Sequence, residues 1–542
     1  MKLLSPARER PKDRYETKSE KAAKAAPVKM PAPVMGWVEN QSLAAEMPSA
    51  ARVLENWFPT TSGVRVRGGA AKSATIGTRC KSLFSYQTAT VSKLFAASAS
   101  AIYDISALNP STVPGASVSG LTSGYFSTEQ MGTVGGEYLY AVNGTDSARL
   151  FDGSTWTTIT GVSTPAITGV TTSTLSYVWK HKNRLWFVKK NSKSAYYLPV
   201  DSVGGAASEF SLAGVFQKGG YLLFGCTWSE DAGDGMDDRV VFVSSEGEVA
   251  VYQGSDPASA SAWGLVGLYS MAPPRGPKCF IKAGGDVIIG TDDGAVPLSA
   301  VTTKDPAALS TAAVSAKIET SWRKMARTWD GVQPWEMIKW PAENMLIVTL
   351  PHDPTTCFVA NVQTGAWAKY IGWDVQCVAL FNKKLYFADK NGFVYAAEQG
   401  GSDNGTSYIS RLSYMPTDLG SPTAFKSVGL MRGVFQAIGS PTVQLSLSVN
   451  YGIAFPSPPT ISSPAGGSGA VWDVSLWDVA LWDDDGLNSF IVKPTYDTGW
   501  VGVGAQGETL APQVQIVVNG AGRPDIELVQ IDLLGESGAS VV

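Results

Sequence analysis

The sequence RVVFVSSEGEVAVYQG, from Arg239 to Gly254, has the pattern of a β-hairpin. The run VVFV at 240–243 and the run VAVY at 249–252 are rich in the β-branched and aromatic residues that favour strands. Between them, a polar segment ends in glycine, as expected of a turn. One small sheet of this kind cannot bury both of its faces alone, so it needs neighbouring sheets.

Six further stretches repeat this pattern of an apolar run, a polar turn and a second apolar run. Successive hairpins start 39 to 58 residues apart. A loose repeat of about 40–50 residues, each with an apolar hairpin, is typical of a β-propeller, in which small sheets stack around an axis. The seven hairpins start at Lys93, Glu137, Asn183, Arg239, Asp286, Asn344 and Lys383.

The repeat divides the chain into four predicted parts. Residues 1–35 are rich in Lys, Arg, Glu, Ala and Pro, and we expect a flexible basic arm that either docks on a partner or has no role. Residues 36–75 form an N-terminal strand segment, 76–420 the propeller, and 421–542 an antiparallel β domain that resembles a sandwich. The predicted fold class is therefore all-β, an irregular propeller with long inserts, a C-terminal sandwich-like domain and one helix at the rim.

Two features interrupt the regular hairpins. Three inserts, at 107–132, 201–219 and 256–277, are too long for simple turns, and we expect them to extend from one rim. A helix is predicted from Asp305, a capping residue followed by proline, to about Trp329. We expect its apolar face to pack against the propeller. That face consists of Ile318, Trp322, Met325 and Trp329.

Charge and cysteine content narrow the possible functions. The net charge is −4, and the first 30 residues carry nine basic against four acidic residues, which leaves 34 basic and 43 acidic residues in the rest. The body is therefore not a nucleic-acid binder by charge. The five cysteines are scattered without a CxxC pair, which predicts buried, reduced thiols. We expect no membrane-spanning helix and no secretion signal.

No motif predicts a catalytic, cofactor-binding or metal-binding residue. GVGAQG at 502–507 lacks the βαβ context of a dinucleotide site. Asp152, in DGSTW, does not have the spacing of a sialidase Asp-box and is expected to cap a hairpin turn. The acidic stretches 229–238 and 482–486 lack the spacing of a calcium loop and are expected to be solvated. We expect His181 on the surface, at the start of a strand.

Three tryptophans recur every five residues in VWDVSLWDVALWDDDG, at 471–486. Neither helical nor strand spacing places them on one face, which predicts an irregular loop. The side chains either fill hydrophobic holes in their own chain or contact a neighbouring subunit or fibre. The candidate interface residues are therefore Trp472, Trp477 and Trp482.

One set of motifs suggests a family. NWFPTTSGVRVRGG at 56–69 is followed by RVVFVSSEGEVAVYQGSDP at 239–257, WGLVGLY at 263–269 and GGDVIIGTDDGAVPLS at 284–299. In this order and spacing, over about residues 50–420, the chain resembles the tail nozzle proteins of short-tailed bacteriophages, also called tail tubular protein B.

The resemblance implies a structural virion protein that is not an enzyme and has no cofactor. Six copies would form a ring around the channel through which DNA is retained and ejected, after synthesis in the host cytoplasm. The partners would be the tail adaptor ring and tail fibres or spikes, without sequence-specific DNA binding. An acidic body suits such a channel, because binding the phosphates would release counterions and hold the DNA in place.

Two alternatives stay open. A propeller glycosidase or depolymerase would cleave cell-surface sugar with paired carboxylates, which a propeller can bring together from distant parts of the chain. A glycan-binding or scaffold propeller would bind without cleavage.

Overall fold

The computed structural model describes residues 26–43, 47–229, 238–328, 333–351, 353, 355–438, 440–460, 463–464 and 493–537. Within these residues the protein is all-β and contains a β-propeller, which confirms the predicted fold class. Further sheets combine strands from the N-terminal and C-terminal parts of the chain.

Within the described residues, six propeller sheets are separate and follow one another along the chain. We call them blades 1 to 5 and, last, the closing blade. Blade 1 contains Ser82–Gln87, Ser92–Ala97, Ala101–Asp104 and Ala116–Ser119; blade 2 contains Ser127–Thr133, Gly136–Val142, Arg149–Phe151 and Trp156–Thr158. Blade 3 contains Leu175–His181, Arg184–Lys189, Ser194–Tyr197 and Ser208–Ser211; blade 4 contains Leu222–Trp228, Arg239–Ser244, Glu248–Gly254 and Trp263–Ser270. Blade 5 contains Phe280–Ala283, Asp286–Thr291 and Gly294–Pro297; the closing blade contains Cys377–Phe381, Lys384–Ala388, Phe393–Ala397 and Ala70–Thr75.

A further unit, which we call the joined blade, lies between blade 5 and the closing blade in the chain. Its strands are Met337–Trp340, Met345–Thr349, Thr356–Asn361 and Ala366–Ile371. It continues into a larger sheet, the long sheet, through Ala51–Glu55, Tyr408–Tyr414, Leu510–Asn519, Val443–Val449 and Ser463–Pro464. All seven predicted hairpins are antiparallel strand pairs in these sheets, so the predicted repeat is confirmed.

The hairpin at 239–254 shows why the blades stack. Val240, Val241, Phe242 and Val243 are all 0% exposed. Because successive side chains of a strand point to opposite faces, both faces of this sheet are covered. The same hydrophobic core contains residues of blades 3 and 5, which cover the two faces.

The ring closes by pairing two strands that are more than 300 residues apart. Ala70–Thr75 is the fourth strand of the closing blade and pairs antiparallel with Phe393–Ala397. The first strand of the closing blade, Cys377–Phe381, contacts the first strand of blade 1. The N-terminal strand therefore completes the last blade, as the closed architecture requires.

The expectation that three inserts extend from one rim is wrong, because each supplies the outer strand of a blade. Most side chains of these strands are exposed or half-buried. Burial therefore does not impose on them the apolar pattern that marks inner strands. The strands are Ala116–Ser119 in insert 107–132, Ser208–Ser211 in insert 201–219 and Trp263–Ser270 in insert 256–277. Ile167–Thr168 and Gly205–Ala206 form an additional two-stranded parallel sheet.

N-terminal and C-terminal strands meet in another sheet, which we call the C-terminal sheet. Its long strands, Lys426–Ala437 and Ile526–Ser537, pair antiparallel. Ala26–Pro31 pairs with the second of them, so the predicted flexible arm 1–35 is wrong from residue 26 onward. The reason is that Met30 is buried in the core of this sheet. The remaining strands are Trp57–Pro59, Val64–Val66, Thr495–Asp497 and Val501–Gly507.

The C-terminal sheet, the long sheet and the joined blade share one hydrophobic core. Strands of residues 36–75 take part in the long sheet, the C-terminal sheet and the closing blade. Strands from either side of residue 75, and from either side of residue 420, pair with one another. Strand pairing therefore does not divide the chain at these positions, and the predicted domain boundaries stay predictions.

The predicted continuous helix from Asp305 to Trp329 is wrong, although Asp305 does cap a helical turn by accepting from the N–H of Ala307 at 2.9 Å. The backbone is extended at Ala313, and Val314 donates its N–H to the Ala295 carbonyl of blade 5. This tertiary pairing replaces a helical hydrogen bond. The α-helices are Leu298–Thr303, Leu309–Ala312 and Glu319–Thr328, and the 3-10 turns are Thr172–Thr174, Pro306–Ala308, Ala316–Ile318 and Pro341–Glu343.

The helix Glu319–Thr328 packs as expected, since Trp322 is buried and Met325 is partly buried against the same core. Ile318, which ends the 3-10 turn before this helix, is buried there as well. Trp329 lies outside the described residues. Of the helices in the described ranges, none combines the length and the apolar character that crossing a bilayer demands.

We predict that Ala74→Asp opens the ring, because Ala74 is 2% exposed in the closing strand and the new carboxylate would be buried without a partner. The matched control is Ala71→Asp, on the same strand but exposed. We expect the first variant to unfold at least 10 °C lower or not to fold, and the control to change by about 0.5 kcal/mol or less. Thermal denaturation and hydrogen exchange at 377–397 measure this. Equal behaviour of the two variants would contradict the assigned closure.

Candidate functional site

The segment NWFPTTSGVRVRGG lies where the propeller meets the other sheets. Trp57, Phe58, Val64 and Val66 are at most 2% exposed. Trp57–Pro59 and Val64–Val66 form a short hairpin, and Val64 and Arg65 pair with Leu528 and Glu527 of the C-terminal sheet. The segment is therefore a buried link between sheets.

Arg67 is fully buried at this link, and each of its five N–H groups has an acceptor. Its two terminal nitrogens bind the Asp403 carboxylate at 2.9 and 2.7 Å, and also donate to the carbonyls of Gly68 and Ile371 at 2.8 and 3.0 Å. Its Nε donates to Asn56 Oδ1 at 2.9 Å. Bidentate pairing uses the planar fork of arginine, which lysine does not have.

Glu398, directly after the closing blade, is the second buried charge. Its carboxylate accepts from Arg65 at 2.8 Å, Arg523 at 3.0 Å, the Gly68 N–H at 2.8 Å and the Tyr370 hydroxyl at 2.9 Å. Burial by itself would raise the pKa of Glu398, but the two arginines and the Gly68 N–H outweigh it and lower the pKa to about 2. Glu398 is therefore ionised whenever the protein is folded near neutral pH.

Glu343, in the turn after the first strand of the joined blade, completes the network. It accepts from Arg65 at 3.0 Å and from both terminal nitrogens of Arg523 at 2.9 Å. We call these six residues the ionic junction: Arg65, Arg67, Glu343, Glu398, Asp403 and Arg523. It joins the N-terminal segment to the joined blade, the closing blade and the C-terminal sheet.

The glycine pair that ends the segment is required by close packing. A Cβ on Gly68 would lie 2.7 Å from the backbone of Glu398, and one on Gly69 would lie 2.1 Å from the Ser402 carbonyl oxygen. Such distances leave no room for a side chain. The sequence RVRGG therefore encodes a close approach of two backbones beside paired charges.

Chemically, the ionic junction is suited to hold sheets together. Each of its three carboxylates is paired with at least one guanidinium at 3.0 Å or less. Over the ranges that the structure describes, no group of three His, Cys, Asp or Glu side chains is placed to hold a metal ion. The sequence pattern identified the RVRGG segment but not Glu343, Glu398, Asp403 or Arg523. These four residues lie 125 to 336 residues along the chain from the charged groups with which they pair.

The residues singled out in the sequence lie elsewhere. Trp472, Trp477 and Trp482, with most of 229–238 and all of 482–486, lie outside the described residues. Asp152 caps its turn as predicted, accepting from the N–H groups of Ser154 and Thr155 at 2.8 and 2.7 Å. The 502–507 stretch belongs to the strand Val501–Gly507.

His181 corrects one expectation. It ends the strand Leu175–His181 and is 3% exposed, because it packs beside Trp263 and its Nδ1 lies 3.1 Å from the Thr227 hydroxyl. Burial, and then the charge of Lys182, lower the pKa of His181 to about 4. The ring is therefore neutral at physiological pH. The five cysteines are free and buried, as predicted.

The fold and the ionic junction define the chain as a β-propeller protein with additional β-sheets. No family model matches it, and no curated protein matches it. Solved structures with a similar arrangement include the computationally designed Ika8 protein, with 10% identity, 61% of this chain and 99% of that chain covered, and a TM-score of 0.34. The WD40 β-propeller domain of Doa1 has 10% identity, with 61% and 97% covered and a TM-score of 0.37.

The β-propeller domain of Cps50 (Swd1) from Myceliophteria thermophila has 10% identity, with 61% of this chain and 99% of that chain covered and a TM-score of 0.36. Likenesses this weak indicate no function for the chain. The propeller assignment follows from its own strand pairing.

We predict that Glu398→Gln lowers stability by about 3–5 kcal/mol at pH 7, because it removes one partner of a buried ion pair. The stabilisation depends on the ionised carboxylate, whose pKa is about 2 when folded and 4.5 ordinarily. It is present above pH 4.5 and lost as the pH falls from 4.5 toward 2. The difference between wild type and variant should therefore shrink over this range.

The matched control is Glu246→Gln, an exposed glutamate in the turn of blade 4. Denaturant midpoints of the three proteins from pH 7 to pH 3 provide the measurement. If both variants behave alike at pH 7, the junction does not stabilise the fold.

Proposed function

We propose that this chain is a structural subunit of the tail nozzle of a short-tailed bacteriophage, forming a ring around the channel for DNA. The observation that carries the proposal is the ionic junction, to which the segment NWFPTTSGVRVRGG contributes Arg65 and Arg67. This segment opens the resemblance to nozzle proteins, and it fixes the propeller to the sheets formed by the chain's two terminal parts.

A ring subunit needs this kind of internal link. Cyclic rings use two different, complementary faces of each subunit. The ring closes only when the two faces keep a constant angle to each other. Six charged residues, two of them buried, the other four partly buried and all paired, hold the propeller and the C-terminal sheet in one orientation, which supports a role in a closed ring.

The charge distribution also supports a conduit. Beyond residue 30 the chain has 34 basic and 43 acidic residues. A body with this excess of carboxylates binds the DNA backbone weakly, because few phosphates are neutralised. Trp472, Trp477 and Trp482 stay our candidates for contacts with a neighbouring subunit or a fibre.

The proposal predicts where the protein lies in a virion. In particles of a phage that encodes the chain, antibodies against it should label the end of the tail, and electron cryomicroscopy should show six copies in a ring below the adaptor. Antibodies against the capsid, which should label only the head, are the control. One copy per particle, or label confined to the head, would overturn the ring.

A second measurement distinguishes the enzymatic alternative from the nozzle. The purified chain is incubated with host surface polysaccharide, and new reducing ends are counted. Release of sugar that disappears on substitution of a single Asp or Glu would favour a glycosidase or depolymerase over the nozzle.

A further inference from the structure

Two cysteines that are far apart in sequence meet where the first and last blades touch. Cys80 precedes the first strand of blade 1, Ser82–Gln87, and Cys377 begins the first strand of the closing blade, Cys377–Phe381. Both are 0% exposed, and their Sγ atoms are 3.7 Å apart. The other three cysteines belong to two different hydrophobic cores.

We propose that Cys80 and Cys377 form a disulfide that closes the propeller ring covalently when the folded protein is exposed to a peroxide. The site is a modification site, and its reagent class is a small, uncharged two-electron oxidant. The inference does not depend on the proposed function, since it concerns the isolated chain.

The geometry favours this pair because the two thiols are already in contact. A disulfide has an S–S bond of about 2.05 Å, so the sulfurs must approach by about 1.7 Å. Both side chains lie in one core with Ala74, Ala96 and Ala388, whose side chains are small. Cys80 lies two residues before the strand Ser82–Gln87, which packs beside the strand Cys377–Phe381 of the adjacent blade.

The hydrogen bonding suggests the order of the steps. The Cys377 thiol donates to Cys80 Sγ, and would stabilise negative charge on that sulfur. Burial, followed by this contact with Cys80, raises the pKa of Cys377 well above its ordinary value. Because Cys80 accepts the hydrogen bond, we assign it as the attacking sulfur, since the thiolate is the nucleophile.

The reaction balances with hydrogen peroxide as the oxidant. The Cys80 thiolate attacks one peroxide oxygen, an S–O bond forms, the O–O bond breaks, and the departing hydroxide takes a proton to become water. Cys377 sulfur then attacks the sulfur of the resulting sulfenic acid. The S–O bond breaks, and the leaving hydroxide takes the thiol proton as a second water. Two thiols and one peroxide give one disulfide and two waters.

The bond would change how the propeller opens. Without it, the first and last blades are held by strand pairing and side-chain packing alone. With it, residues 80 to 377 form a covalent loop that includes blades 1 to 5 and the joined blade. Opening at this seam would then require reduction as well as strand separation.

The test treats the native full chain with hydrogen peroxide, stops the reaction with catalase, and counts free thiols after unfolding in the presence of an alkylating reagent. We expect the count to fall from five to three per chain. Mass spectrometry should identify one peptide pair, joining Cys80 to Cys377, which dithiothreitol separates. Nonreducing electrophoresis should show a faster-migrating monomer.

Two variants provide the controls. Cys357→Ala removes a buried cysteine of the joined blade and should still lose two thiols, whereas Cys80→Ala should form no disulfide. If Cys80→Ala does not fold, peptide mapping of the wild type decides alone. Five remaining thiols, a different cysteine pair, or disulfides between chains would each overturn the proposal.

Discussion

The fold depends on closing the propeller ring. Each blade has two apolar faces, and the first and last blades each lack one neighbour until they meet. Backbone pairing between Ala70–Thr75 and Phe393–Ala397 holds the first and last blades together. Joining strands more than 300 residues apart costs about 5 kcal/mol of loop-closure entropy, apart from a constant. The burial of Ala74, Ile76 and Val394 at the seam offsets this, because it removes apolar surface from water.

The ionic junction adds specificity to this closure. Charges removed from water are expensive unless every partner is in place, so a buried pair penalises any arrangement that leaves one of its members unpaired. Arg67 has an acceptor for every N–H, and Glu398 binds two arginines, a backbone N–H and a hydroxyl. A one-residue slip of the N-terminal segment would leave several of these groups buried and unpaired. The correct register is therefore strongly preferred over its neighbours.

Local patterns in the sequence predict the local structure well. The seven hairpins are visible because their inner strands, such as 240–243, must be apolar on both faces. The outer strand Ser208–Ser211 is not visible, because its side chains are mostly exposed. The helix from Asp305 was predicted too long, since propensity does not report the pairing of Val314 with Ala295. For the candidate site, the sequence RVRGG indicates two charged side chains and a close approach of two backbones. Glu398, Asp403 and Arg523 are brought to this segment by tertiary folding, which no local sequence pattern predicts.

One short segment, residues 51–75, links three of the sheets. Within 25 residues the chain passes through three sheets, with Ala51–Glu55 in the long sheet, Val64–Val66 in the C-terminal sheet and Ala70–Thr75 in the closing blade. A propeller could close with the last of these strands alone. Because the same segment also carries Arg65 and Arg67, any rotation of the C-terminal sheet against the propeller must break buried ion pairs and a strand ladder together. Local hairpins form from nearby residues and fold readily, whereas this segment makes mostly long-range contacts. The blades are therefore built mainly from local contacts, and this segment joins them to the long sheet and the C-terminal sheet.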